Sequence, residues 1–147
     1  MYNHHTIRKA YNKDIDSIFL LEKNIFAEES WTIDMINEEL QESLDKMTWV
    51  MEKSGNIVAY CMIRIIDKEI HIINMAVKSA LQGNGLGRLL LTHIFNYIPD
   101  KSSVFLEVKQ GNFPAINLYL SFGFEEIYIR DNYYQDGSNA IIMCYKN

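Results

Sequence analysis

The feature that most constrains this chain is a glycine-rich segment, Gln-Gly-Asn-Gly-Leu-Gly-Arg at residues 82–88, which lies between two apolar stretches. Residues 72–77 before it have the composition of a buried strand, and residues 89–97 after it carry apolar side chains at the helical period. Glycine leaves no Cβ between the backbone and an anion, and a helix N-terminus offers free N–H groups and about half a positive charge. The segment therefore predicts a binding site for an anionic ligand that carries phosphate.

Two of the known phosphate-binding patterns fit this segment poorly. A Walker loop requires a lysine and a hydroxyl residue directly after its last glycine, and the segment has neither. A dinucleotide-binding fingerprint requires G-x-G-x-x-G. Gly83 and Gly85 fit it, whereas Arg88 stands at the third glycine position. Glu107 lies at about the spacing of a ribose-binding acid, so the segment alone leaves this second pattern open.

A third pattern, Gln/Arg-x-x-Gly-x-Gly/Ala, is matched by Gln82, Gly85 and Gly87. The remaining interpretation is a plain glycine-rich turn before a helix, with no ligand. Three alternating glycines directly after a buried strand favour a binding role over that plain turn.

The composition excludes several classes of protein. A chain of 147 residues suits one domain, and 48% hydrophobic with 22% charged residues is typical of a globular protein. The net charge of −5 and the lack of a long basic run argue against a nucleic-acid-binding surface. Cys61 and Cys144 lie in apolar, β-like runs without a metal-binding spacing, so we expect buried thiols and no metal. The first residues include no apolar leader, and no apolar run reaches about 18 residues, so a cytoplasmic protein with no membrane partner is expected.

Hydrophobic periodicity and turn residues predict seven strands and four helices. The strands are expected at residues 6–10, 47–52, 57–66, 69–77, 104–108, 124–129 and 140–145. The first helix should run from a cap at Asp14 through Glu22, and the second should start at a cap at Thr32 and turn Met35, Ile36 and Leu40 inward. The third helix is expected over residues 86–98, and the fourth from a cap at Asn112 to Gly123.

The element order, β-α-α-β-β-β-α-β-α-β-β, predicts the fold class. Short turns at residues 54–56 and 67–68 join three strands into an antiparallel meander. The strand at residues 69–77 is apolar on both faces toward its end, so it should be central and covered on both sides. We expect a single α/β (α+β) domain over residues 1–147, with a mixed, mostly antiparallel sheet of about seven strands and helices on both faces. A dinucleotide-binding domain would place its glycine loop after the first strand, and this order therefore argues against hydride transfer.

The element order and the glycine pattern together resemble the GNAT superfamily of N-acetyltransferases over essentially the whole chain. In that superfamily the pattern is the pyrophosphate loop for acetyl-CoA. Gln82 stands where many members carry Arg, and the contacts implied there are mainly to the backbone. Further pieces are similar to the RimI-type branch, whose members acetylate a protein N-terminus: Trp31, Asn112 and residues 74–77, 106–108, 115–119, 122–124, 130–134 and 140–143.

Two residues are candidates for the acid–base chemistry of acetyl transfer. The attacking amine must be neutral, so a base must take a proton, directly or through water. Alternation along residues 105–109 puts Phe105, Glu107 and Lys109 on one strand face, which is either a solvated face or the place of a base. The resemblance implies that Glu107 is the base and that Tyr119 is the acid for the departing thiolate. The alternative for Tyr119 is a core aromatic on an apolar helix face.

The resemblance also implies binding residues. Backbone N–H groups beside a strand bulge, at Met75, Ala76 and Val77, would hold the acetyl carbonyl, and a splay between strands there would admit the pantetheine arm. Asn112 and Tyr119 would contact the cofactor. The pyrophosphate would be held by Gln82, Gly83, Asn84, Gly85, Leu86, Gly87 and Arg88. The acceptor would be flanked by Trp31, Tyr133 and Tyr134, for which packing on the fold is the alternative.

The leading hypothesis is transfer of an acetyl group from acetyl-CoA to the α-amine of a protein N-terminus, with the N-terminal alanine of a ribosomal protein as the acceptor. An α-amine has a pKa of about 7.7–8.0 and a lysine amine about 10.4, so one carboxylate base suits the α-amine better. Two alternatives stay open, namely acetylation of a small amine or lysine, and a coenzyme A-binding module that has lost catalysis.

Overall fold

The computed structural model describes residues 4–146 and contains the predicted elements in the predicted order. Residues 1–3, part of the N-terminus in which the sequence shows no apolar leader, lie outside the described residues, as does residue 147. The strands are β1 His5–Lys9, β2 Lys46–Lys53, β3 Asn56–Ile66, β4 Glu69–Val77, β5 Ser103–Lys109, β6 Glu125–Arg130 and β7 Ala140–Lys146. The helices are α1 Ile15–Phe26, α2 Ile33–Glu39, α3 Leu86–Tyr97 and α4 Phe113–Phe122.

The seven strands form one mixed sheet in the order β1-β2-β3-β4-β5-β7-β6, with β4 at its centre. Only β4 and β5 pair in parallel, and the other neighbouring strands are antiparallel. The meander turns take positive φ at Ser54 (51°), Gly55 (81°) and Asp67 (57°), which suits tight hairpins. The predicted fold class is therefore confirmed.

Each face of the sheet carries its own apolar core. Helices α3 and α4 cover one face, where Leu90, Leu91 and Ile94 are fully buried. Helices α1 and α2 pack on the other face, on β2, β3 and β4, through the fully buried Ile18 and Ile36. The central position and two-sided covering predicted for β4 are thus confirmed, and its end reaches both cores.

The same face continues past α1 and α2 onto β5, β7 and β6, where side chains are exposed. Glu107 and Tyr128 both lie opposite Ile142 of β7 in the register, and Lys109 and Arg130 both lie opposite Ala140. Directly opposite residues share a face of the sheet. Glu107, Lys109 and Arg130 therefore project together beside the end of β4.

The first helix differs from the prediction in length and in its cap. Helix α1 runs on to Phe26 rather than ending at Glu22, because Phe26 still packs against the core of that face. Asp14 precedes the helix, but its carboxylate makes no cap. It accepts hydrogen bonds from both terminal nitrogens of Arg8, each at 2.9 Å, and from the Tyr11 N–H at 2.8 Å.

Three of the predicted helix ends are confirmed, and one inward residue is wrong. The Thr32 hydroxyl accepts from the Met35 N–H at 3.2 Å, and the Asn112 side chain accepts from the Ala115 N–H at 3.4 Å. Gly123 ends α4 in the left-handed region. Met35 is 46% exposed, since neighbours in a helix are turned by about 100° and Ile36 takes the inward direction. None of the described helices is long and apolar enough to cross a membrane.

Candidate functional site

The sheet opens between β4 and β5. The two strands pair over residues 69–72 and 103–106 only, after which β4 continues along β3 and β5 along β7. The divergence begins at a bulge in β4. Met62 and Ile63 of β3 lie opposite Asn74 and Ile72, which leaves Ile73 as an extra residue. A bulge bends and twists its strand, so the last part of β4 is directed away from β5 and a slot forms between the strand ends.

The backbone of β4 directs alternate N–H groups into this slot. The Lys78 N–H donates to the Val58 carbonyl at 2.8 Å, so it points toward β3, while the Val77 carbonyl points the other way and accepts from Gln82 Nε2 at 3.0 Å. Backbone groups alternate in direction along an antiparallel strand. The N–H groups of Met75 and Val77 therefore face the slot, whereas that of Ala76 faces β3. Of the three N–H groups expected at this position, Met75 and Val77 are the ones directed toward a ligand.

The glycine-rich segment forms an open helix N-terminus next to the slot. Gly83 and Gly85 have φ of 83° and 80°, and a Cβ at either would meet nothing within 4 Å. Helix α3 has no side-chain cap and no acidic residue in its first turn. Its first helical bond runs from the Leu89 N–H to the Gly85 carbonyl at 3.0 Å, so the N–H groups of residues 85–88 have no acceptor inside the helix. The segment provides both the donors and the space that an anion requires.

The third glycine has a different function from the first two. A Cβ on Gly87 would lie 2.7 Å from Leu118 Cδ2 of α4 and 3.5 Å from Met75 Cε of β4. Gly87 therefore allows close contact between α3, α4 and β4. Leu86 is buried in the core, and the Arg88 guanidinium lies over the Phe122 ring at 5.4 Å. These two residues thus present only their backbone N–H groups toward an anion.

Other residues that were predicted to contact the cofactor make hydrogen bonds within the protein. The side chain of Asn84 donates to the Leu81 carbonyl at 3.0 Å, and that of Gln82 donates to the Val77 carbonyl. The side chain of Asn112 caps α4. These contacts order the segments on which a ligand would lie.

Glu107 lies on β5 just past the point where that strand leaves β4. Its side chain is 34% exposed, and its Oε1 lies 3.7 Å from Arg130 Nη1. The Glu107 carboxylate is the main cause of a raised pKa at Tyr133, and burial, followed by the negative charge of Glu107, raises the pKa of Tyr134 to about 12. The two tyrosine rings meet edge to face, with centroids 5.1 Å apart. The structure thus brings Glu107, Tyr133 and Tyr134 together.

Tyr119 lies on α4, within the core that α3 and α4 share with the sheet. It is 7% exposed, and its ring is 5.6 Å from that of Phe124. Burial, followed by the neighbouring Cys61, raises the pKa of its phenol, so the hydroxyl keeps its proton at neutral pH. Across residues 4–146, Thr48 Oγ1 is the one fully buried side-chain oxygen or nitrogen with no hydrogen-bond partner. No hydrogen bond to the Tyr119 hydroxyl is present among those residues.

Trp31 packs against the core beneath α1 and α2, and no hydrogen bond or ring contact among the described residues joins it to Tyr133 or Tyr134. The backbone N–H of Trp31 donates to the Glu22 carboxylate at 2.9 Å. Glu22 is 1% exposed and also accepts from the Tyr60 hydroxyl and the Asn74 side chain. Sequence reasoning missed this buried carboxylate, which links the Trp31 segment to β4 beside the bulge. The only signal for it was that Glu22 falls on the apolar stripe of α1.

The described residues include no group of three His, Cys, Asp or Glu side chains that could hold a metal ion. The site consists of backbone N–H donors at the end of β4 and at the start of α3, one partly exposed carboxylate and several phenols.

A parallel β4–β5 pair that opens at a bulge, next to an uncapped glycine-rich helix N-terminus, defines the class of acyltransferases that bind acetyl-CoA. Residues 12–124 match the sequence model of the Acetyltransferase (GNAT) family, and the chain belongs to this family. It is an acetyl-CoA-dependent N-acetyltransferase.

Relatives within the family include enzymes named for acetylation of protein α-amines. A protein of Bacillus subtilis (strain 168), provisionally named a [ribosomal protein bS18]-alanine N-acetyltransferase, is 35% identical over 140 residues, which are 93% of this chain and 92% of its own. An N-alpha-acetyltransferase of Sulfurisphaera tokodaii is 30% identical over 94% of this chain and 90% of its own. The crystal structure of the ribosomal-protein-S18-alanine N-acetyltransferase from Escherichia coli superimposes with a TM-score of 0.87 at 29% identity, covering 97% of this chain and 94% of that one.

Proposed function

We propose that this enzyme acetylates the α-amine of a protein N-terminus, and that its acceptor is the N-terminal alanine of ribosomal protein bS18. The observation that carries the proposal is the position of Glu107. Its carboxylate lies at the mouth of the slot between β4 and β5, beside two tyrosines on the side from which an acceptor amine can approach. The names of the relatives support the α-amine and the bS18 substrate.

Glu107 is the proposed base. An α-amine has a pKa of about 7.7–8.0, so a substantial fraction is already neutral near pH 7.5 and a single carboxylate, acting directly or through water, can take the remaining proton. A lysine amine, with a pKa of about 10.4, would require a larger change. Within the described residues, Glu107 interacts with a cationic and a phenolic side chain, namely Arg130 and Tyr133. Neither is a better base than the carboxylate.

Tyr119 is the proposed acid. When the amine attacks the thioester carbon and the C–S bond breaks, the sulfur leaves as a thiolate that needs a proton or a hydrogen bond. The raised pKa of Tyr119 keeps its phenol protonated, and a protonated phenol donates to a thiolate. Its hydroxyl is not engaged by another described residue and is therefore free for this contact.

Backbone donors carry the remaining proposed contacts. The N–H groups of Met75 and Val77 face the slot, where they can stabilise the negative charge that develops on the carbonyl oxygen. The N–H groups of residues 85–88 hold the pyrophosphate of acetyl-CoA. Tyr133 and Tyr134 flank the acceptor backbone with ring faces and phenol groups, and Trp31 supports the opposite wall by packing.

The experiment is a comparison of acceptors and of variants. Consumption of acetyl-CoA is measured with a lysine-free peptide that begins with alanine, with a peptide blocked at its N-terminus that contains one lysine, and with a polyamine. We expect the free alanine peptide to give the highest kcat/KM. We also expect Glu107→Gln to lower kcat by about 10²–10⁴, with the KM for acetyl-CoA unchanged and a smaller loss at high pH.

The matched control is Glu125→Gln, which removes an exposed carboxylate from β6 and should leave both constants unchanged. A Glu107→Gln enzyme with wild-type kcat at neutral pH would remove Glu107 from the mechanism. A higher kcat/KM for the lysine peptide or the polyamine would contradict the α-amine assignment.

A further inference from the structure

One ammonium group joins two loops that come from distant parts of the chain. Lys109 Nζ, at the end of β5, lies 2.7 Å from Asp136 Oδ2 and 3.3 Å from each carboxylate oxygen of Glu29. Glu29 belongs to the turn between α1 and α2, and Asp136 belongs to the connection between β6 and β7. We call Lys109, Glu29 and Asp136 the Lys109 cluster.

The Lys109 cluster is in contact with the acceptor side of the site. Lys109 and Glu107 are two residues apart on β5 and share a face of the sheet. The Lys109 ammonium lies 5.5 Å from the centre of the Tyr134 ring, and that ring meets Tyr133 edge to face. A continuous set of contacts therefore runs from Glu29 through Lys109 and the two tyrosines to Glu107.

The loop that carries Asp136 is joined to the tyrosines by short-range hydrogen bonds. The Tyr134 N–H donates to the Ser138 carbonyl at 3.1 Å, and the Gly137 N–H donates to the Tyr134 carbonyl at 2.9 Å. Asp136 itself accepts from the Ser138 N–H at 2.9 Å. A contact that fixes the position of Asp136 therefore fixes Tyr133 and Tyr134 as well.

The opposite loop is strained and depends on the same lysine. Ala27, at the start of the turn that carries Glu29, has φ 50° and ψ −116°, a conformation that non-glycine residues rarely adopt and that costs about 1–3 kcal/mol. Lys109 supplies the only side-chain hydrogen bonds of Glu29 among the described residues. Among the described residues, Lys109 is therefore the cation that pairs with this turn, and the charge of Glu29 also acts on the Tyr134 phenol.

The exposure of the cluster indicates that it contributes little to stability. The side chains of Lys109 and Asp136 are 34% and 51% exposed, and exposed ion pairs contribute little to the free energy of unfolding. A cation with two carboxylate partners and a ring can still fix the relative positions of two loops, because Lys109 pairs with a carboxylate of each loop and both pairs are lost when the cation is removed.

We propose that Lys109 is a positioning residue for the acceptor: it holds the turn that carries Glu29 and the loop that carries Tyr133 and Tyr134 at the separation that admits an extended peptide. This rests on the proposed function only in taking the cleft between these loops as the acceptor site. It holds for any amine acceptor that extends between the two loops.

The test compares Lys109→Met, which keeps the length of the side chain and removes its charge, with Lys109→Arg, which keeps the charge. Lys9→Met is the matched control, because Lys9 pairs with Glu42 at 3.9 Å on the opposite edge of the sheet. For each enzyme the KM of the acceptor peptide, the KM of acetyl-CoA, kcat and Tm are measured at low and high salt. Hydrogen exchange of residues 27–31 and 131–139 is followed in parallel.

We expect Lys109→Met to raise the acceptor KM by about tenfold, the size of a lost charge-assisted contact, and to leave the acetyl-CoA KM and Tm unchanged. Lys109→Arg should restore most of the acceptor affinity, and Lys9→Met should behave as wild type. Salt should raise the acceptor KM of the wild type but not that of Lys109→Met. Exchange should become faster in both loops together.

Two outcomes would overturn the proposal: an unchanged acceptor KM in Lys109→Met, or an equal rise of both KM values. If the wild type acetylates no acceptor, the proposed function fails by itself, and hydrogen exchange then decides about Lys109. Unchanged exchange in the two loops of Lys109→Met would overturn its positioning role independently of the substrate.

Discussion

Gly87 offers a sharp test of how the cofactor side of the fold is packed. A methyl group added by Gly87→Ala would stand 2.7 Å from Leu118 Cδ2, closer than carbon atoms approach without movement, and at ordinary contact distance from Met75. Overpacking of this kind costs about 1–3 kcal/mol, and the better helix propensity of alanine returns about 1 kcal/mol. We therefore expect a net loss of about 1 kcal/mol.

The partner of the clash makes the test specific. In a Leu118→Ala background the obstructing methyl group is gone, so the same Gly87→Ala change keeps only its gain in propensity and should stabilise the protein by up to about 1 kcal/mol. The double-mutant cycle then gives a coupling of about 2 kcal/mol. The assay is urea or thermal unfolding of the four proteins, in which 1 kcal/mol corresponds to about 4 °C in Tm for a chain of this size.

Gly85→Ala is the control for this cycle. Gly85 has φ of 80° and no neighbour within 4 Å, so alanine there costs about 1–2 kcal/mol of backbone strain in either background. Equal effects of Gly87→Ala with and without Leu118 would refute the packing role assigned to the third glycine.

Three further predictions concern the cofactor, the acid and pH. Gly85→Val should raise the Kd of acetyl-CoA about 10- to 100-fold, which is the size of one lost charge-assisted hydrogen bond of about 1.5–3 kcal/mol. Calorimetry would measure this Kd. Wild-type affinity in a folded variant would end the pyrophosphate assignment. Tyr119→Phe should lower kcat by about 10²-fold or more with little change in Tm, because the hydroxyl has no described protein partner; full turnover would make Tyr119 a packing residue. Burial is the largest single influence on the pKa of Asp14 and would raise it, but the hydrogen bonds from Arg8 and the Tyr11 N–H, together with the charges of Arg8 and Lys13, outweigh burial, and the net pKa is lowered. The stability from this pair is therefore present above the unfolded pKa of about 3.9 and is lost as the pH falls through the lower folded value. The Tm difference between wild type and Asp14→Asn should shrink below about pH 4, and a pH-independent difference would contradict it.

The fold was predictable because its local signals agree with each other. The hairpin residues Ser54 and Gly55 and the terminating Gly123 act through their own backbone, and the caps Thr32 and Asn112 act through side chains that bond a backbone N–H three residues later. Such signals can be read without knowledge of the tertiary structure. The place of the glycine-rich segment in the element order then predicted one side of the site.

The contacts between distant segments could not be predicted in the same way. Glu22 looks like an interruption of an apolar helix face, and only the structure reveals the Tyr60, Asn74 and Trp31 groups that satisfy its carboxylate. The bulge at Ile73 depends on the register between β3 and β4, which the side-chain pattern of one strand does not encode. The direction of the Ala76 N–H follows from that register as well.

The side chain of Asp14 illustrates the same limit. Its position before α1 is that of a cap, and an aspartate there is a good prediction from sequence. In the structure the Arg8 guanidinium lies within reach and forms a two-point ion pair with the carboxylate. The guanidinium gives the carboxylate two parallel charge-assisted bonds with an opposite charge, where a cap would give it a bond from a backbone N–H, so the tertiary partner prevails over the local one.

One peptide that carries both candidate amines distinguishes an α-amine acceptor from a lysine acceptor in a single reaction. A peptide with a free N-terminal alanine and one internal lysine is incubated with the enzyme and acetyl-CoA, and tandem mass spectrometry locates the acetyl group on the singly modified product. We expect acetylation of the alanine α-amine and an unmodified lysine. A product acetylated on the lysine side chain, with the N-terminus free, would contradict it.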